Sequence, residues 1–190
     1  MLISIDELKP ILESKHIDIT GILHVGAHDC EELYTYKDLG VPKENVLWID
    51  AIPEKVTNAQ TRGIPNVYHA VVTDKDNEDV VFHISNNGQS SSVLELGTHK
   101  EEHPHIHYVN QLTQKSITID TFFEVNKIDA SKYVFWNFDI QGAELMALKG
   151  AVNSLAYASI LYLEVNEKEL YKNCGLMDEL DTFLAKYHFV

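Results

Sequence analysis

Five short runs in this sequence are almost entirely apolar: GILHV (21–25), NVLWID (45–50), NVYHAVV (66–72), YVFWNFD (133–139) and SILYLEV (159–165). A strand with one face in water alternates apolar and polar residues. A strand covered on both faces reads as a continuous hydrophobic run, the pattern of a parallel sheet flanked by helices. Helical spacing surrounds these runs. Ser4 and Glu7 form a capping box ahead of Leu8, Ile11 and Leu12, which predicts a first helix over 5–14 within an N-terminal segment, 1–20. QGAELMALKG puts Leu145, Leu148 and Val152 on one stripe with Gly150 as a breaker, and LMDELDTFLAKY does the same with Leu176, Leu180, Phe183, Leu184 and Tyr187. Strand and helix in alternation are βαβ units, so the fold class is α/β: a Rossmann-like, mostly parallel, doubly wound sheet.

The segment 74–129 breaks that rhythm with DVVFHIS and KSITID around a polar, histidine-rich loop, and reads as an insertion for substrate recognition. At 190 residues and 45% hydrophobic composition the chain is expected to form one domain, 1–190. Cys30 and Cys174 are too few for a disulfide framework and form no C-x-x-C motif, which places the chain in a reducing compartment. MLISIDELKP has neither a basic nor an apolar leader region, and no run reaches the roughly 18 apolar residues of a membrane span; the expectation is a cytoplasmic protein. Twenty-nine acidic against 15 basic residues give a charge of −14, which repels phosphate backbones; neither nucleic acid nor membrane is expected as a partner.

Doubly wound sheets bind ligands at the carboxyl ends of their strands. After the first run, Gly26, Ala27, His28 and Asp29 form a turn leading to a helix near Cys30 or Glu31, with backbone N–H groups at its start. A dinucleotide fingerprint needs small residues where His28 and Glu31 stand, and Glu31 would repel a pyrophosphate. A cofactor without phosphates, carrying a ribose and an amino-acid end, suits the turn better: S-adenosylmethionine. Asp50 closes the second run, where an acid accepts from both ribose hydroxyls, with Ala51 beside it and Ile52 and Pro53 walling the adenine. Thr73 and Asp74 follow the third run, in reach of the adenine amino group. Asp139 ends the fourth run as a buried carboxylate before Gly142; the plain alternative is that it caps the next helix.

On the segments HVGAHDCEEL, WIDAIPEKV, NNGQSSSVLELGTHKEEHP, SITIDTF and DIQGAELMALKGA…ILYLEVNEKELY, the chain resembles the FkbM family of S-adenosylmethionine-dependent methyltransferases. The resemblance implies a class I methyltransferase fold and methyl transfer to a hydroxyl of a small acceptor, a sugar, glycan or natural product. It puts Gly26 and Ala27 in the cofactor turn, Asp50 on the ribose, Ser90, Ser91 and Ser92 in a polar loop, and Asp139, Gln141 and Glu144 in the family's motif. Cys30 stands where the family shows glycine, and the sequence stops at KYHFV, where the family's closing strand pair begins; the chain reads either as a piece of something longer or as lacking that pair, and in the second case an exposed sheet edge would follow, with pairing to a second copy as one remedy.

Methyl transfer to oxygen needs alignment and a proton acceptor. Asp139 is the first candidate base, His99 the second and Glu164 the third. Ser90 to Ser92, His99 and Glu144 are the substrate-binding candidates, and Asp139 and Gln141 also stand with the cofactor set. No metal is expected. His103, His105 and His107 alternate as strand ligands would, but Pro104 and the lack of a fourth ligand count against them. His24 and His28 are not expected to converge, and Tyr162, Trp48, Trp136 and Phe138 read as core. Two alternatives stay open: a degenerate binding or assembly module without catalysis, and a nucleotide-sugar or NAD-dependent enzyme on a related fold.

Overall fold

A computed structural model describes residues 3–189. The strands are β1 (Ile22–Val25), β2 (Val46–Asp50), β3 (Val67–His69), β4 (Val71–Val72), β5 (Asp79–Ser85), β6 (Tyr108–Ile117), β7 (Phe135–Phe138) and β8 (Ile160–Leu163). The α-helices are α1 (Ile5–Ser14), α2 (Leu33–Asp38), α3 (Pro53–Thr61), α4 (His99–Glu102), α5 (Ile119–Val125), α6 (Glu144–Lys149) and α7 (Met177–Leu184). They gather into two compact units. The first takes the chain up to His69 with Ala130–Asn137 and Tyr157–Tyr162; the second takes Ala70–Asp129, Phe138–Ala156 and the chain from Leu163.

A five-stranded sheet runs in the order β3-β2-β1-β7-β8, with β2 parallel to both β1 and β3. Every residue of β1, β2 and β7 is buried, as the continuous apolar runs require. The core of the first unit packs Ile22, Trp48, Tyr36 and Phe135 with Leu8 and Leu12 of α1. α1 begins where the capping box places it, with Glu7 Oε2 accepting from the Ser4 N–H at 3.1 Å and the Ser4 hydroxyl at 2.9 Å. One polar group is set inside this core. His24 stacks on Trp48 and meets the Tyr36 hydroxyl at 2.9 Å, and the Asn137 amide donates to the same hydroxyl at 2.7 Å.

In the second unit β4, β6 and β5 form a sheet in the order β4-β6-β5. β5 runs antiparallel to β6 from Asp79↔Lys115 to Ser85↔Tyr108, with an irregularity at Ile84/Ser85. Segment 74–129 thus builds on a hairpin-like pair.

Three expectations give way to tertiary contacts. The third run divides at Ala70: Val67–His69 joins the large sheet and Val71–Val72 the small one. KSITID is the end of β6 followed by Thr118, whose hydroxyl caps α5 by accepting from Thr121 N–H at 3.1 Å. Val152 lies exposed beyond α6 instead of on its buried stripe. Gly150 does end α6, and its small size answers a close approach, because a Cβ there would fall on the Thr73 carbonyl oxygen. Among the described residues no helix is long and apolar enough to cross a membrane.

Candidate active site

In the first unit the chain leaves β1 through three left-handed residues, Gly26 (φ 92°), His28 (φ 42°) and Cys30 (φ 55°). α2 therefore starts at Leu33, two residues beyond the expected helix start at Glu31 and three beyond Cys30. The turn is tied to β2. Gly26 and Ala27 donate to the Ile49 carbonyl at 2.9 and 3.0 Å, and the Asp50 carboxylate accepts from His28 N–H at 2.6 Å and from Ile52 N–H at 2.7 Å. One buried acid thus fixes both its own strand end and the turn after β1. Burial raises the Asp50 pKa, and the two N–H bonds act the other way. Gly26, Ala27, His28, Asp50, Ala51 and Ile52 come together here, with Ile52 buried ahead of α3. A carboxylate has about four lone-pair positions, so the two N–H bonds leave Asp50 room for further donors.

His28, Asp29 and Glu31 offer ligand atoms within 4.8 Å of one another, although the sequence reading sets aside a metal nest of His24, His28, Cys30 and Glu31. Lys55 Nζ lies 2.7 Å from Asp29 Oδ2 and His28 Nδ1 lies 2.7 Å from Glu31 Oε1, so these groups already have partners. The other ring nitrogen, His28 Nε2, is buried without a hydrogen-bond partner.

The second unit holds the other candidates. The Glu164 N–H donates to the Phe138 carbonyl at 3.2 Å, which carries the β7–β8 pairing to the strand ends and brings the next residue after β7, Asp139, beside Glu164. Gln141 bridges them: its Nε2 donates to Asp139 Oδ1 at 2.8 Å and to Glu164 Oε2 at 2.5 Å. Burial first, then the Asp139 carboxylate, pushes the Glu164 carboxyl up to about 7. Asp139 itself is exposed, not buried as expected. It does not cap α6 either. α6 has no side-chain cap bond at its N-cap, Ala143; Glu144, its first residue and 1% exposed, instead accepts from the Ile140 N–H of the preceding loop at 3.0 Å and is raised to about 8 by burial. Glu144 supports the loop from beneath and is too enclosed to meet an acceptor.

Ser90, Ser91 and Ser92 are buried as well. Ser92 Oγ donates to the Gln141 carbonyl at 2.9 Å and Ser91 Oγ to the Gly88 carbonyl at 2.6 Å, while Ser90 accepts from Asn87 Nδ2 at 3.1 Å. These hydroxyls hold the loop. His99 opens α4, buried against Tyr171 and His103 at ring distances of 5.3 and 4.8 Å, with Nδ1 lacking a partner. Burial, and then the charge of His103, lowers its pKa, so the ring is neutral near pH 7. His103, His105 and His107 lie in a loop and share no strand face. Thr73 is buried with its hydroxyl on the Lys75 carbonyl at 2.9 Å. Asp74 is exposed, at the rim of a small cleft lined by Gly142, Leu145, Cys174 and Glu179.

Tyr171 escaped the sequence reading as a functional residue. It is buried, and its hydroxyl donates to Gln141 Oε1 at 2.6 Å, linking His99 to the carboxyl pair. A lone tyrosine in a polar stretch carries no periodic signal.

A Rossmann-like α/β sheet with acids at neighbouring strand ends is an architecture that class I methyltransferases share with dinucleotide-binding enzymes. The profile of the methyltransferase FkbM domain matches residues 24–190, and the chain belongs to that family. No match was found among curated proteins or among solved structures. The protein is a methyltransferase, which sets the NAD-dependent alternative aside.

Proposed function

We propose that the protein is an S-adenosylmethionine-dependent O-methyltransferase acting on a hydroxyl of a small neutral acceptor, a sugar or glycan being the leading class. The observation that carries this reading is the Asp139–Gln141–Glu164 cluster, an exposed carboxylate bound through one amide to a carboxyl of raised pKa. Such a pair takes up a proton near neutral pH, which is what an alcohol must give up to become a nucleophile.

The residues of the first unit fit the cofactor. Asp50 offers acceptors to a ribose diol, Ile52 an apolar wall, and the orphaned His28 Nε2 a partner for the amino-acid end. S-adenosylmethionine held by these residues would supply an electrophilic methyl to the hydroxyl oxygen, the sulfur keeping the electron pair of the broken carbon–sulfur bond. Asp139 and Glu164 receive the hydroxyl proton, and Gln141 orients both. The formal charge of −14 favours neutral or cationic acceptors over phosphorylated ones.

Calorimetry with S-adenosylhomocysteine tests the reading. Binding should be clear in the folded wild type and weaker by about tenfold or more in Asp50→Ala, since a hydrogen bond to a charged group contributes about 1.5–3 kcal/mol. Asp139→Asn should keep that affinity and lose turnover on an acceptor found by screening neutral sugars. Absence of heat in folded wild type ends the proposal.

A further inference from the structure

Gln141 lies between two carboxyls and is itself held from a third side. Its Nε2 reaches Asp139 Oδ1 and Glu164 Oε2, and its Oε1 accepts the Tyr171 hydroxyl. These bonds favour one sense of the amide. Flipped, it would set its oxygen against the ionised carboxylate of the pair and lose the hydrogen bond it accepts from the Tyr171 hydroxyl. Its backbone is fixed as firmly: Gln141 is left-handed at φ 55°, Gly142 follows at φ 92°, and Ser92 Oγ holds the Gln141 carbonyl. A non-glycine residue rarely keeps that conformation unless its surroundings impose it.

We propose that Gln141, clamped by Tyr171, is the positioning residue that keeps a single proton between Asp139 and Glu164, so that one carboxylate oxygen of the pair is always free to receive the acceptor's hydroxyl proton. The proposal rests on the methyltransferase reading of this site. Two carboxylates in contact resist joint ionisation, and burial of Glu164 adds to the resistance. Without donors the pair would hold its proton too tightly to act near pH 7. Two N–H bonds from one amide favour the ionised form and bring the shared proton back into range. The groups that face Glu164 are Asp139, the Gln141 amide, the buried Glu144 carboxyl and the Tyr171 hydroxyl; Asp139 repels its charge, Glu144 adds repulsion only once it ionises above about pH 8, and Tyr171 acts through the amide. Tyr171→Phe frees the amide to turn its oxygen toward a protonated Glu164, and Gln141→Met removes the donors at nearly constant volume.

The side-chain carboxyl ¹³C signals of the full-length protein, followed by NMR from about pH 4 to pH 10, report the proton directly. In Tyr171→Phe and Gln141→Met the titration midpoint of the pair should rise by about one pH unit or more, the scale of a charge-assisted hydrogen bond, while Asp50 titrates as in wild type. Midpoints unchanged in both folded variants would overturn the proposal and leave Gln141 as a pin for its loop. S-adenosylhomocysteine calorimetry on the same samples separates the two claims: moved midpoints without ligand binding support the proton assignment and remove the S-adenosylmethionine reading, whereas binding with fixed midpoints removes the assignment alone.

Discussion

Replacing Glu144 by glutamine should make the protein more stable in mild alkali, the reverse of what losing a buried hydrogen-bonding side chain ordinarily does. Glu144 is 1% exposed, and its pKa is about 8 in the fold against an ordinary 4.5. A folded pKa above the unfolded one means the native state holds the proton more tightly. That stabilisation is complete below pH 4.5 and is lost as pH rises through about 8. Each pH unit is 1.36 kcal/mol, so the full loss is about 5 kcal/mol, reduced to about 2–5 kcal/mol where the loop admits water. Glutamine keeps the oxygen that accepts from Ile140 N–H and cannot ionise. Urea unfolding at about pH 5, 6.5 and 8.5 should therefore show Glu144→Gln close to wild type at the lowest pH and ahead of it by about 2 kcal/mol or more at the highest. Glu164 and Asp50 contribute to both proteins and cancel to first order. Stability curves that run parallel across that range would show that Glu144 is ionised without cost, and the account of a neutral carboxyl beneath the loop would fail.

Two further substitutions probe packing and backbone. Gly142→Ala would drive a Cβ to 2.8 Å from the Cys174 Cβ and 3.1 Å from that of Tyr171 at φ 92°, whereas Gly40→Ala meets nothing within 4 Å at φ 85°. Both share the left-handed penalty of about 1 kcal/mol, so thermal melts should place Gly142→Ala clearly below Gly40→Ala; equal melting temperatures would deny the close approach. Tyr36→Phe removes the hydroxyl shared by His24 and Asn137 in the core, and should cost about 1–3 kcal/mol in denaturant unfolding. A loss below about 0.5 kcal/mol would mean that His24 and Asn137 satisfy each other.

The turn after β1 and its tie to the end of β2 were readable because they depend on short-range order. A strand, a glycine and a strand-end acid, Gly26 and Asp50, are consecutive events on adjacent parallel strands, and Asp50 reaches the turn through backbone N–H groups that any residue supplies. The carboxyl pair was readable only as separate residues. Asp139 and Glu164 were both named as bases, yet nothing in their spacing tells that one amide joins them, because that follows from β7 and β8 ending side by side. Burial was the weakest inference. Asp139 is expected to be buried and is exposed, whereas His99 and the three serines, drawn from polar loops, are buried, since a loop's exposure is set by what folds over it.

The sequence by itself determined the covered parallel sheet, the capping box of α1, the acids at strand ends and the family, because each is carried by local pattern: hydrophobic period, cap chemistry and residue order. The tertiary structure alone decided which carboxyl is neutral, which serines serve the loop, and that Tyr171 clamps Gln141. Those properties depend on desolvation and on hydrogen bonds between residues far apart in the chain, such as the 30-residue separation of Gln141 and Tyr171, and no local pattern encodes them.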